Sequence, residues 1–83
     1  MIMQVRLKGS VEGHFHNIEF KHQTVEALTQ DLNEGQMVIG KRLWTTSNGP
    51  GRRTITDRKE VALTGDGIDW IMAPTVTFSD AEN

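Results

Sequence analysis

In residues 3–9, MQVRLKG, Met3, Val5 and Leu7 fall on one side of an extended chain and Gln4, Arg6 and Lys8 on the other. Strand residues two apart point the same way, so this alternation specifies a strand with one wet face and one buried face. The same period returns in HFHNIEFKH (14–22), where Ile18 and Phe20 turn inward and Asn17, Glu19 and Lys21 outward. Strands of this kind need something to cover their apolar side.

One segment has the period of a helix. Thr24 is placed to cap its first amides, and Gly35 sits where a helix commonly stops. Val25, Leu28 and Leu32 fall at i, i+3 and i+7 and make one narrow apolar stripe. So short a helix is marginal alone, which sends its stripe onto the sheet.

Further strands follow. QMVIGKRLW (36–44) is apolar in its first half and polar in its second, and TTSNGPG (45–51) breaks regularity with two turn-forming pairs. RRTITDRK (52–59) is a weak return strand, whereas EVALT (60–64) and IDWIM (68–72) are clearer, with GDG between them favouring a hairpin turn. TVTF (75–78) makes a last short strand, and SDAEN (79–83) is expected to be a frayed tail.

The expected fold is therefore α+β: a mostly antiparallel sheet of five to six strands packed against one helix, in the order ββα and then three to four strands. A small β-barrel with one helix is the alternative. Eighty-three residues make one domain, residues 1–83, with a loop or mobile hairpin at 45–59.

Cysteine is absent, which removes disulfides, thiolate zinc sites and cysteine nucleophiles. No cationic start is followed by a long apolar stretch, and no apolar run reaches the ~20 residues a bilayer requires. A soluble cytoplasmic protein is expected.

Three histidines crowd residues 14–22. His14, His16 and His22 share the parity of Ile18 and Phe20, so all five are expected on the inward face. His14 and His16 lie roughly 7 Å apart, close enough to share a metal, but His22 is roughly 20 Å beyond His16 on a straight strand. Glu12 is the nearest candidate for a third ligand. Two histidines without a specified third ligand do not make a zinc site, and no metal or other cofactor is expected.

GQMVIGKR (35–42) differs from the phosphate-binding loop pattern G-x-x-x-x-G-K-[ST] only at Arg42. That loop follows a strand and opens a helix, whereas here a helix precedes Gly35 and a strand follows. Asp66 and Asp69 resemble a carboxylate pair, but the turn and an outward strand face account for them. No catalytic residue is assigned. Trp70, within IDWIM, is expected in the core.

Net charge is only −2, but its distribution is uneven. Residues 41–59 hold six basic residues and one acid, a net of +5, while the rest of the chain carries −7. Lys41, Arg42, Arg52, Arg53, Arg58 and Lys59, with Trp44 among them, form the candidate partner- or anion-binding site.

These features point to a small non-enzymatic binding or regulatory domain that recognises an acidic protein surface or its own second copy. Accessory proteins of phages and mobile elements have this size. Nucleic-acid binding through residues 41–59 is the alternative, because a two-stranded ribbon fits the major groove and arginines meet phosphates. A structural subunit of an oligomeric assembly is the second alternative. No membrane and no small-molecule substrate is implied.

Overall fold

The computed structural model describes residues 1–11 and 14–81. Strands β1 (Ile2–Leu7) and β2 (His16–Phe20) precede helix α1 (Val25–Asn33). Four strands follow: β3 (Val38–Ser47), β4 (Arg52–Leu63), β5 (Ile68–Met72) and β6 (Thr77–Asp80). They form one six-stranded sheet in the order β5-β1-β2-β3-β4-β6, antiparallel throughout except for the parallel β4–β6 pair. The sheet stays open, with β5 and β6 as its edges, so the fold is α+β and not a barrel. No described helix is long and apolar enough to cross a membrane.

The Thr24 hydroxyl accepts a hydrogen bond from the Ala27 amide at 3.1 Å and caps α1. Gly35 follows the helix at φ +78°, a left-handed conformation that glycine adopts without a Cβ penalty. Only Leu28 and Leu32 of the expected stripe are buried, and Val25 is 39% exposed. The two leucines pack with Met3, Val5, Ile18, Phe20 and Val38. Leu7, Val61, Leu63, Ile68 and Ile71 border that cluster. At the base of the helix, His22 Nε2 lies 2.7 Å from Asp31 Oδ2, a tie the strand pattern did not suggest.

Three expectations about the second half of the chain are corrected. The segments expected as two strands, 52–59 and 60–64, form one continuous strand ending at Leu63, because the 12 residues of β4 pair along the whole of β3, its polar half included. The GDG segment does not close a hairpin: β5 lies beside β1 at the opposite edge. Gly65–Gly67 is a 3-10 turn that passes so close to α1 that a Cβ on Gly65 would sit 2.9 Å from the Leu32 carbonyl oxygen. Short-range turn chemistry yields here to long-range apolar pairing, with Ile68 opposite Leu7 and Ile71 opposite Val5. Ser79 and Asp80 belong to β6 and are not frayed, while Glu82 and Asn83 lie outside the described residues.

The bulge in the β1–β5 ladder explains a fourth correction. Leu7 pairs with Ile68 and Arg6 with Trp70, which leaves Asp69 as the extra residue. Ile68 and Ile71 therefore both reach the core, and Trp70 turns to the other face. There it is 36% exposed, with its ring centroid 6.4 Å from that of Phe15.

Gly40 accounts for the near match to a phosphate-binding loop. It lies within β3, opposite Phe20, and a Cβ there would meet Ile18 Cγ2 at 2.7 Å and Phe20 Cδ1 at 3.1 Å. The missing Cβ leaves room for Ile18 and Phe20 of the neighbouring β2. Gly40→Ala is expected to destabilise the fold by about 1–3 kcal/mol, the usual cost of overpacking, as read by urea denaturation. An unchanged midpoint would show that the core can move aside.

Candidate functional site

The seven candidate residues lie on one structural unit, the β3–β4 hairpin, and the pleat divides them between its two faces. Ile18 pairs with Arg42 and Phe20 with Gly40, so Arg42 shares the sheet face that α1 covers. Trp44, two residues on, shares that face as well. Arg42 pairs with Lys59, which brings Lys59 to the same side.

A second bulge sets the phase toward the hairpin tip. Trp44 pairs with Asp57 and Thr45 with Ile55, leaving Thr56 as the extra residue, its hydroxyl donating to the Trp44 carbonyl at 3.2 Å. Beyond the bulge Thr46 pairs with Thr54, and Arg52, two residues before Thr54, falls on the Trp44 side. Arg42, Trp44, Arg52 and Lys59 therefore form one flank. Lys41, Arg53 and Arg58 point to the face that carries no helix.

The two groups differ in their partners. Arg58 donates to Glu19 Oε1 at 3.3 Å and also pairs with Asp80. The hydrogen bond to Asp80, followed by the nearby charges of Asp80 and Glu19, raises its pKa further and keeps it charged. Arg53 donates through Nε to the Thr45 hydroxyl at 2.7 Å and through Nη2 to the Thr45 carbonyl at 3.3 Å. Lys41 stands in register with Glu19 on one side and Glu60 on the other. Of the candidate cations on the helix-free face, Arg58 is thus neutralised by two carboxylates and Arg53 is tied to its neighbouring strand, so both arginines serve structure.

On the flank, Arg42, Arg52 and Lys59 have no carboxylate within ion-pair distance among the described residues. The Arg42 guanidinium lies 4.6 Å above the Trp44 ring centroid, a cation–π contact that fixes both side chains. Trp44 remains 37% exposed. His16 shares this face two residues before Ile18. Its partial burial, then the charges of Arg42 and His14, push its pKa below the ordinary histidine value. The flank's charge at neutral pH therefore comes from arginine and lysine.

The histidines do not converge. His14 is exposed ahead of β2, His16 is half-buried within it, and His22 is bonded to the helix. Among the described residues no three His, Asp or Glu side chains gather closely enough to hold a metal, and Glu12 lies outside them. Asp69 is tied to Arg6 at 3.2 Å and is not paired with Asp66. Arg6 also donates to the carbonyls of Ser10, Val11 and His14, holding the ends of the β1–β2 connection.

The even parity of Arg42 and Trp44 is visible in the sequence and already puts them together. The partners of Arg58 leave no local signal, since Glu19 is 39 residues away and Asp80 is 22. No protein-family model matches the chain, and no curated protein or solved structure matches it either.

Proposed function

We propose that this chain is a small non-enzymatic recognition domain whose contact surface is the Arg42–Trp44–Arg52–Lys59 flank and whose partner is an acidic protein surface. The sorting of cations carries this reading. On the helix-free face Arg58 is ion-paired with Glu19 and Asp80, Arg53 is held by Thr45, and Lys41 lies in register between Glu19 and Glu60. Arg42, Arg52 and Lys59 surround a half-exposed tryptophan without an ion pair among the described residues. Arginine and tryptophan are the residues that most often carry binding energy when an interface buries them. The −7 carried by the rest of the chain favours a bounded acidic patch over a long polyanion, which would run past the flank into like charge.

Single-stranded nucleic acid is the second reading, favoured by the Trp44 ring, because bases stack on exposed aromatics. Three flank cations contacting phosphate, not the six of the whole segment, imply a salt slope near −2 for a single strand, at about −0.7 per contact.

The test compares wild type, Arg42→Glu with Lys59→Glu, and the equal-charge control Lys8→Glu with Lys41→Glu, each immobilised and exposed to the same cell extract. A protein held by wild type and control but lost by the flank variant is the expected result. A partner held equally by all three removes the flank from the account. Oligonucleotide binding with the stated slope, in place of a protein, moves the assignment to nucleic acid.

A further inference from the structure

We infer that the flank's partner is a second copy of this chain, in a two-fold dimer where each hairpin flank lies against the outer face of the other copy's α1. This inference rests on the reading of the flank as the contact surface and adds the identity of what it meets.

Shape supplies the first argument. The core under α1 draws on β1, β2 and β5 but on only Val38 of β3 and on Val61 and Leu63 of β4. On the same side of the sheet, β3 and β4 continue past Gly40 with Trp44, Asp57 and Lys59 exposed. The helix therefore ends in a step about one helix diameter high, ~10–12 Å. A second helix fills such a step. If two copies face each other across a two-fold axis, each α1 occupies the other's step, and both contacts form at once. Flank meets helix and helix meets flank, the self-complementary pattern a closed dimer requires.

Charge supplies the second. Residues 22–40 contain no lysine or arginine, and α1 has no basic residue in its last turn. Helical spacing places Glu26, Gln30 and Glu34 opposite buried Leu28 and Leu32. Asp31 is engaged by His22, so Glu26 and Glu34 are the outward acids. Glu34 forms the C-terminal cap, where the carbonyl ends already carry partial negative charge. The Gln30 amide donates to Glu34 Oε1 at 3.3 Å and holds it along the outer surface. A cation from a second molecule relieves this local repulsion, and the flank presents three. Exposed Trp44 supplies the apolar part of the contact.

Sedimentation velocity on the wild-type chain, Arg42→Glu with Lys59→Glu, and Glu26→Lys with Glu34→Lys tests this, with folding of each variant checked by far-UV circular dichroism. The wild type is expected to form dimers at low salt and to dissociate in about 1 M salt, where the screening length is about 3 Å. Each variant alone should associate at least about 30-fold more weakly, since two attractions become repulsions in each of the two symmetry-related contacts. Mixing the two variants should restore a dimer, because the acidic flank then meets the basic helix and the acidic helix meets the basic flank. A monomeric wild type, variants that dimerise as well as wild type, or folded variants that fail to recombine would each overturn the proposal. If self-association fails but a different protein is captured through the flank, the flank reading stands and only the second copy is lost. If neither occurs, both fall.

Discussion

Arg42→Glu combined with Lys59→Glu is expected to leave the domain folded while weakening partner binding by roughly 30- to 1,000-fold. Lys59 is exposed, and the Arg42 head group stacks on the Trp44 ring, so the fold gives up about 0.5–1 kcal/mol of cation–π energy. Binding loses far more. Each exposed ion pair contributes about 0.5–1 kcal/mol, and reversal replaces each attraction with a repulsion of similar size. Two such reversals amount to roughly 2–4 kcal/mol, at about 1.4 kcal/mol per tenfold in Kd. Reversing Lys8 and Lys41 changes net charge equally but leaves the flank as it was, so its binding is expected to stay within about tenfold of wild type.

The second large effect falls on stability. Leu28→Ala is expected to cost about 2–5 kcal/mol, the range for truncating a buried leucine to alanine. Leu28 is 0% exposed and, with Leu32, forms the whole buried contact of α1 with the sheet. A chain of this length has roughly 4–12 kcal/mol of stability in total. The substitution should therefore lower the melting temperature by roughly 8–40 °C, at 4–8 °C per kcal/mol for domains of this size. Thermal denaturation followed by far-UV circular dichroism reads the change. Val25→Ala, on the same helix but 39% exposed, should cost under about 1 kcal/mol. If the two substitutions had equal effects, α1 would not be held by the contacts described.

The half-buried strands and the single helix were legible because each announces itself within a few residues. Met3, Val5, Ile18 and Phe20 alternate as the core requires, and Thr24 and Gly35 bracket α1 through local backbone chemistry. What stayed hidden depends on distant pairing. The GDG turn reads as a hairpin from its own residues, yet Ile68 and Ile71 find Leu7 and Val5 some 60 residues back in the chain. Trp70 was misplaced because an unsignalled bulge at Asp69 reverses the phase of β5. The charge excess of residues 41–59 falls on a single hairpin, but composition cannot assign faces. Strand parity puts Arg42 with Trp44, and a further bulge at Thr56 sets the phase of Arg52 and Arg53. The neutralisation of Arg58 needed Glu19 and Asp80, which come from two other strands.

Tryptophan quenching is the most direct test of which face recognises the partner, because the chain has two tryptophans and the fold puts them on opposite faces. Trp70→Phe leaves Trp44 as the sole reporter of the flank, and Trp44→Phe leaves Trp70 to report the helix-free face. Acrylamide quenching is measured for each variant with and without bound partner, or across a concentration series if the partner is a second copy. The account predicts that binding shields Trp44 and leaves Trp70 as accessible as before. Shielding of Trp70 with Trp44 still open to quencher would contradict it and place recognition on the opposite face of the sheet.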